Sequence, residues 1–204
     1  MLIIGLTGSI GMGKSTAAKR FLANGILVCD ADAEVHKLYR GRAVAPVEAA
    51  FPGTTGPDGV DRQKLAAALL ADPSGFTRLE AIVHPLVKIA ERAILRAEAA
   101  RGAAMAVLEV PLLLETGGDK RVDVTVVVSA PAAMQRQRLL QRPGMTPEKL
   151  DQILARQMPD VEKRRRADFI VDTSKSIPET EAHIDKLIAE LKGRVGTAYA
   201  RHWA

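Results

Sequence analysis

Cysteine is nearly absent from this chain, Cys29 being the only one. A single thiol forms no internal disulfide and offers no metal-binding cluster, so Cys29 reads as a small apolar residue of a buried strand. Aromatic residues make up 3%, which leaves few stacking platforms for single-stranded nucleic acid. No apolar run approaches the roughly 18 residues that a membrane span needs. The opening Met1-Leu2-Ile3-Ile4-Gly5 lacks the charged region and long apolar stretch of a secretory leader and reads as a strand. No membrane partner is expected, and a cytoplasmic location is.

What the chain does have is enough length, 204 residues, for one α/β domain with an inserted subdomain. Its 29 Lys and Arg against 24 Asp and Glu give a net charge of +5. That surplus favours anionic partners, phosphorylated metabolites or nucleic acid, without choosing between them. The apolar pattern chooses a fold class. Residues 2–6, 26–30, 104–110 and 122–129, and more weakly 169–172, are near-continuous apolar runs rich in β-branched residues. Such runs fit strands of a parallel sheet covered on both faces, and the helical segments between them make the class α/β.

A helix is expected from about residue 13 to 23, stopped by Asn24-Gly25. Residues 31–101 contain no convincing strand, and are read as a helical insertion over the carboxyl edge of the sheet, with a long helix starting at Pro85. The basic stretch 142–166 carries Pro143-Gly144, Pro147 and Pro159, a composition that suits a mobile lid. Ser176-Ile177-Pro178-Glu179 has capping-box spacing and starts the last amphipathic helix, after which 193–204 reads as frayed.

The most specific motif is Gly8-Ser9-Ile10-Gly11-Met12-Gly13-Lys14-Ser15, which fits G-x-x-x-x-G-K-[ST] directly after a strand and at the start of a helix. Chance alone produces the pattern in on the order of one chain per hundred of this length, and the strand-to-helix context lowers that further. Its glycines aim backbone N–H groups inward, and the helix adds the positive end of its dipole. Lys14 then reaches the β- and γ-phosphates, and the Ser15 hydroxyl is placed for Mg²⁺. Thr16 is either a phosphate contact or a plain helix-start hydroxyl.

Two carboxylates, Asp30 and Asp32, emerge where the second strand ends, at the edge where open α/β folds bind ligands. Between them they can supply a base for an acceptor hydroxyl and orient the waters of a Mg²⁺ ion, although either alone can cap the next helix. Asp32 lies two residues past the strand and is the better base; Asp30 is better placed toward the metal, directly or through water. Arg138 and Arg142, four apart, are expected to share a helix face and close over phosphates, with a solvated face as the alternative. Lys163-Arg164-Arg165-Arg166 is read as lid or surface in preference to a nucleic-acid patch. His84, before Pro85, is a helix cap or a ligand, and Glu109 and Glu115 lie near the same edge.

With these residues in hand the chain resembles the dephospho-CoA kinase family. The resemblance rests on Ile4 to Thr16, Asp30-Ala31-Asp32, Asp61-Arg62 with Leu65, Leu79-Glu80 with Ile82, His84 and Pro85, and Pro111-Leu112-Leu113 with Glu115. It continues through Gln135 with Arg138, then Arg142, Gln157, Lys163 and Ala167-Asp168. It implies a P-loop three-layer fold with a five-stranded parallel sheet, a core of residues 1–31, 102–141 and 167–204, a helical acceptor-binding insertion 32–101 and a helical lid 142–166. It implies transfer of the γ-phosphoryl group of ATP to the ribose 3′-hydroxyl of dephospho-CoA with Mg²⁺ as cofactor. By the same match Gly8, Gly11, Met12, Gly13, Lys14, Ser15 and Thr16 bind ATP. Asp32 is the base; Asp32, His84, Leu112 and Glu115 hold the acceptor; Lys14, Arg138 and Arg142 act on the phosphates. Glu109 stands where the family often has aspartate, and Thr173 where it often has asparagine. The partners expected are ATP and dephospho-CoA and not nucleic acid, with a monomer favoured. A GTP switch would need an N/T-K-x-D motif, and none is present.

Overall fold

The computed structural model describes residues 1–204, which divide into two compact units, Met1–Cys29 with Leu95–Ala204, and Asp30–Ile94. The first is built on a five-stranded parallel sheet in the order β2-β5-β1-β6-β7, formed by β1 (Leu2–Thr7), β2 (Leu27–Asp30), β5 (Met105–Glu109), β6 (Val124–Ser129) and β7 (Phe169–Asp172). The central strand β1 is buried along its whole length. It pairs with β5 from Leu2 opposite Met105 to Leu6 opposite Glu109, and with β6 from Ile4 opposite Val124 to Thr7 opposite Val127. A strand covered on both faces cannot alternate polar and apolar residues, which is why these segments read as continuous apolar runs.

The core joins Leu2, Ile4 and Leu6 to Phe21 of α1 (Lys14–Ala23) and to Ile184, Leu187 and Leu191 of α9 (Ile177–Leu191). Ser176 caps α9 in a complete capping box with Glu179. Between β6 and β7 lie α6 (Ala132–Leu140), α7 (Pro147–Leu154) and α8 (Asp160–Arg166).

The segment expected to fray is anchored instead. Trp203 is 1% exposed. Its indole N–H donates to the Arg121 carbonyl at 2.9 Å, and the amides of Thr197 and Ala198 donate to Asp123 Oδ1 at 2.6 and 2.8 Å. Aromatic burial and a carboxylate acceptor outweigh a glycine-bearing, polar-looking local sequence, and neither partner is near in sequence.

The second unit carries α2 (Ala31–Leu38), α3 (Val44–Ala50), α4 (Arg62–Ala71) and most of α5 (Gly75–Ala100). Two features depart from expectation. A two-residue antiparallel pair, β3 (Thr55–Gly56) and β4 (Gly59–Val60), forms where no strand was expected; Glu48 ties it down by accepting from Gly53 N, Thr55 N and Thr55 Oγ1. Pro85 lies inside α5 rather than at its start. Its cost in a helix interior is offset by a buried face that repeats every four residues, Val83, Val87, Glu91 and Leu95, while Pro85 itself faces outward.

Candidate active site

The loop after β1 turns on Gly11 and Gly13, whose φ angles of 79° and 85° lie in the left-handed region that favours glycine. Gly13 is the N-cap residue of α1, with no side-chain cap and no acidic residue in the first turn. No side chain of that turn competes with an anion for the positive end of the helix dipole. Lys14, Ser15 and Thr16 are its first three residues, Ser15 exposed and Thr16 half-buried, while Gly8 and Met12 are buried in the loop.

The sheet register explains what Lys14 meets. Glu109, at the end of β5, stands opposite Leu6, and its Oε1 accepts from Lys14 Nζ at 2.6 Å, with the two side chains 7% and 17% exposed. Thr173, after β7, braces the loop from the other side, donating from Oγ1 to the Met12 carbonyl at 2.8 Å. Arg138 donates through Nη2 to the Thr173 carbonyl at 2.7 Å and through Nη1 to the Gly11 carbonyl at 3.5 Å. The structure thus brings Lys14, Glu109, Thr173 and Arg138 around one loop. Arg142 is not part of that group: α6 ends at Leu140, so Arg142 lies beyond the helix, exposed, and does not share a face with Arg138.

The turn after β5 is held by buried polar contacts. Thr7 Oγ1 donates to the Pro111 carbonyl at 3.1 Å. Lys163, read as lid or surface, is fully buried; its Nζ pairs with Glu115 Oε1 at 2.8 Å and donates to the Pro111 carbonyl at 3.3 Å. An ammonium can be buried there because a carboxylate and a carbonyl replace its water. Glu115 Oε1 also accepts from Met158 N at 2.9 Å, and its Oε2 is buried with no partner. Leu112 is exposed on the same turn. A cavity of about 700 Å³ opens beside the loop, lined among others by Ser9, Gln135, Gln157, Asp160, Arg164 and Ser174.

In the second unit Asp30 is the N-cap of α2, accepting from Ala33 N at 3.1 Å through Oδ1. Asp32, in the first turn of α2, is exposed and lines a cavity of about 330 Å³ with His36, Tyr39, Arg62 and Leu65. Arg62 Nη1 lies 2.9 Å from His36 Nε2. Burial pushes the Tyr39 phenol up, and the Arg62 charge opposes that shift. Sequence reasoning gave His36, Tyr39 and Arg62 no role; the D-R-x-x-L motif containing Arg62 was the available signal. His84 is exposed on α5 and is not among the residues lining this cavity.

Comparison with known proteins adds the family. A family model described as dephospho-CoA kinase matches residues 2–179. The dephospho-CoA kinase of Rhizobium etli is 58% identical over 195 residues, covering 96% of each chain. Among solved structures, a Thermus thermophilus protein matches with a TM-score of 0.80 at 35% identity, covering 94% of this chain and 98% of that one. The dephospho-CoA kinase from Campylobacter jejuni matches in fold with a TM-score of 0.71 at 23% identity, over 93% of this chain and 96% of that one.

Proposed function

Because this chain belongs to the dephospho-CoA kinase family, we propose that it transfers the γ-phosphoryl group of ATP to the ribose 3′-hydroxyl of dephospho-CoA, giving coenzyme A and ADP, the last step of coenzyme A biosynthesis. The observation that carries the phosphoryl-transfer half is the uncapped start of α1 behind Gly13, with Lys14 as its first residue. Backbone N–H groups and an ammonium gathered at one point stabilise charge on a triphosphate without reorganising during the reaction.

In this reading residues 32–101 form the acceptor-binding insertion and 142–166 the lid, and the protein works in the cytoplasm. No helix is long and apolar enough to cross a membrane. Asp32 accepts the proton of the ribose hydroxyl as its oxygen bonds to the γ-phosphorus and the bond to the β-phosphate oxygen breaks. The cavity beside Asp32 supports this, since Arg62 supplies a fixed positive charge to an acceptor that carries phosphates. Lys14 compensates charge on the β–γ bridge. Arg138, already turned toward the loop by its bonds to Thr173 and Gly11, neutralises the transferring group, with Arg142 joining from the lid. His84, Leu112 and Glu115 complete the acceptor side by match to the family.

Ser15 fits a Mg²⁺ role because its hydroxyl is exposed at the second residue of α1, and this ion takes few protein ligands beside phosphate oxygens and water. The ion would supply charge neutralisation to the phosphates of the nucleotide. A coupled ADP-release assay with dephospho-CoA, adenosine, AMP and shikimate offered separately with MgATP tests the proposal. A clear preference for dephospho-CoA is expected, and preference for another acceptor rejects the substrate while leaving the kinase class.

A further inference from the structure

Ile10, inside the phosphate-binding loop, has both of its backbone polar groups taken by side chains from distant segments. Its N–H donates to Gln157 Oε1 at 3.0 Å, and its carbonyl accepts from Gln135 Nε2 at 2.7 Å. A backbone N–H only donates and a carbonyl only accepts, so the orientation of each side-chain amide is fixed by chemistry. Gln135, on α6, is 6% exposed. Gln157 follows α7. Neither glutamine has a part in the phosphoryl-transfer reading above.

Gln157 also begins a short segment tied to the turn after β5 and to the end of β6. Met158 N donates to Glu115 Oε1 at 2.9 Å, Asp160 Oδ2 accepts from Ser129 Oγ at 2.7 Å, and Lys163 Nζ reaches the Pro111 carbonyl at 3.3 Å. The loop's own turn is closed by a backbone bond from Met12 N to the Ser9 carbonyl at 3.1 Å. The peptide units on both sides of Ile10 are therefore held from outside while Gly11 and Gly13 take positive φ immediately after it.

We infer that Gln135 and Gln157 are positioning residues for ATP: they clamp Ile10 at its carbonyl and its N–H, and so hold the loop in the shape that points the following amides at the phosphates. The two positions have opposite requirements, a donor at 135 and an acceptor at 157. The clamp lowers the ordering that nucleotide binding would otherwise demand of a glycine-bearing loop. The inference rests on the reading that this loop binds ATP.

The opposite requirements make the test specific. Glutamate at 157 keeps an acceptor for the Ile10 N–H, while glutamate at 135 puts a carboxylate against the Ile10 carbonyl. Gln157→Leu, Gln157→Glu, Gln135→Leu and Gln135→Glu are compared with wild type for ATP dissociation constant, kcat and KM for ATP, and melting temperature. Gln157→Leu should weaken ATP binding roughly tenfold, as expected when a half-buried N–H loses its acceptor, and Gln157→Glu should recover most of that loss. Gln135→Glu should be at least as poor as Gln135→Leu. The change should fall on KM for ATP more than on kcat. A space-filling role predicts that glutamate is equally good or equally bad at both positions, and that result overturns the inference. Should either leucine variant fail to fold, the two glutamate variants compared with each other decide it. Wild-type protein that does not bind ATP would sink the kinase reading and this inference together; wild type that binds ATP with all four variants equal to it sinks the clamp alone.

Discussion

Lys14 Nζ and Glu109 Oε1 lie 2.6 Å apart at the root of the phosphate-binding loop, in a pair whose carboxylate is almost wholly buried. The lysine expected to act on ATP therefore has a protein partner of its own. Removing it does two things at once.

Lys14→Ala should lower kcat by roughly 10²-fold or more, because charge on the β- and γ-oxygens loses its compensation. It should also destabilise the fold by up to about 3 kcal/mol, since Glu109 is left without its cation. The double variant Lys14→Ala/Glu109→Gln should regain the melting temperature and none of the turnover. Calorimetry alongside steady-state kinetics separates the two effects, and recovery of activity in the double variant would exclude a direct role for Lys14.

Asp32→Asn keeps the shape and hydrogen-bonding reach of the side chain but removes its basicity. Turnover should fall by roughly 10²- to 10⁴-fold with little change in ATP affinity. Lost ATP binding with turnover kept at saturating ATP would move Asp32 to the metal shell. Asp30, which already caps α2, would then be the remaining carboxylate to test as base.

Trp203→Ala should destabilise the protein by about 3–5 kcal/mol, the usual range for emptying a buried aromatic site. The indole is 1% exposed, its N–H is bonded, and Arg121 lies 5.3 Å from the ring centre. Thermal unfolding followed by circular dichroism measures the loss. A melting temperature equal to wild type would mean that the chain end is not anchored in solution.

Glu48 holds the small hairpin of the second unit through the backbone N–H of Gly53 and then the Thr55 hydroxyl, and these bonds lower its carboxyl below the ordinary glutamate range. A carboxyl lowered in the folded state contributes stability that is present above the ordinary value, about 4.3, and is lost as pH falls through its folded value. The stability difference between wild type and Glu48→Gln should therefore be largest near neutral pH and shrink below about pH 4. A difference independent of pH would contradict this.

The sequence by itself determined the parallel sheet and the phosphate-binding loop. Strands buried on both faces need unbroken apolar runs, and a loop that wraps phosphate needs glycine at set spacings ahead of a lysine; both are local demands written in adjacent residues. It also marked Gln135, Gln157 and Lys163 through the family pattern without giving them a task.

Tertiary structure decided the tasks. Lys163 belongs to a basic run, and only the carboxylate of Glu115 and the carbonyl of Pro111 make its burial affordable. Pro85 is held inside α5 by a face buried on a four-residue repeat, and the chain end is fixed by Arg121 and Asp123. Arg142 was separated from Arg138 by the end of α6. For Lys163, Arg142 and the chain end the deciding partner is either distant in sequence or a helix boundary, and local spacing carries no record of which buried polar groups will meet.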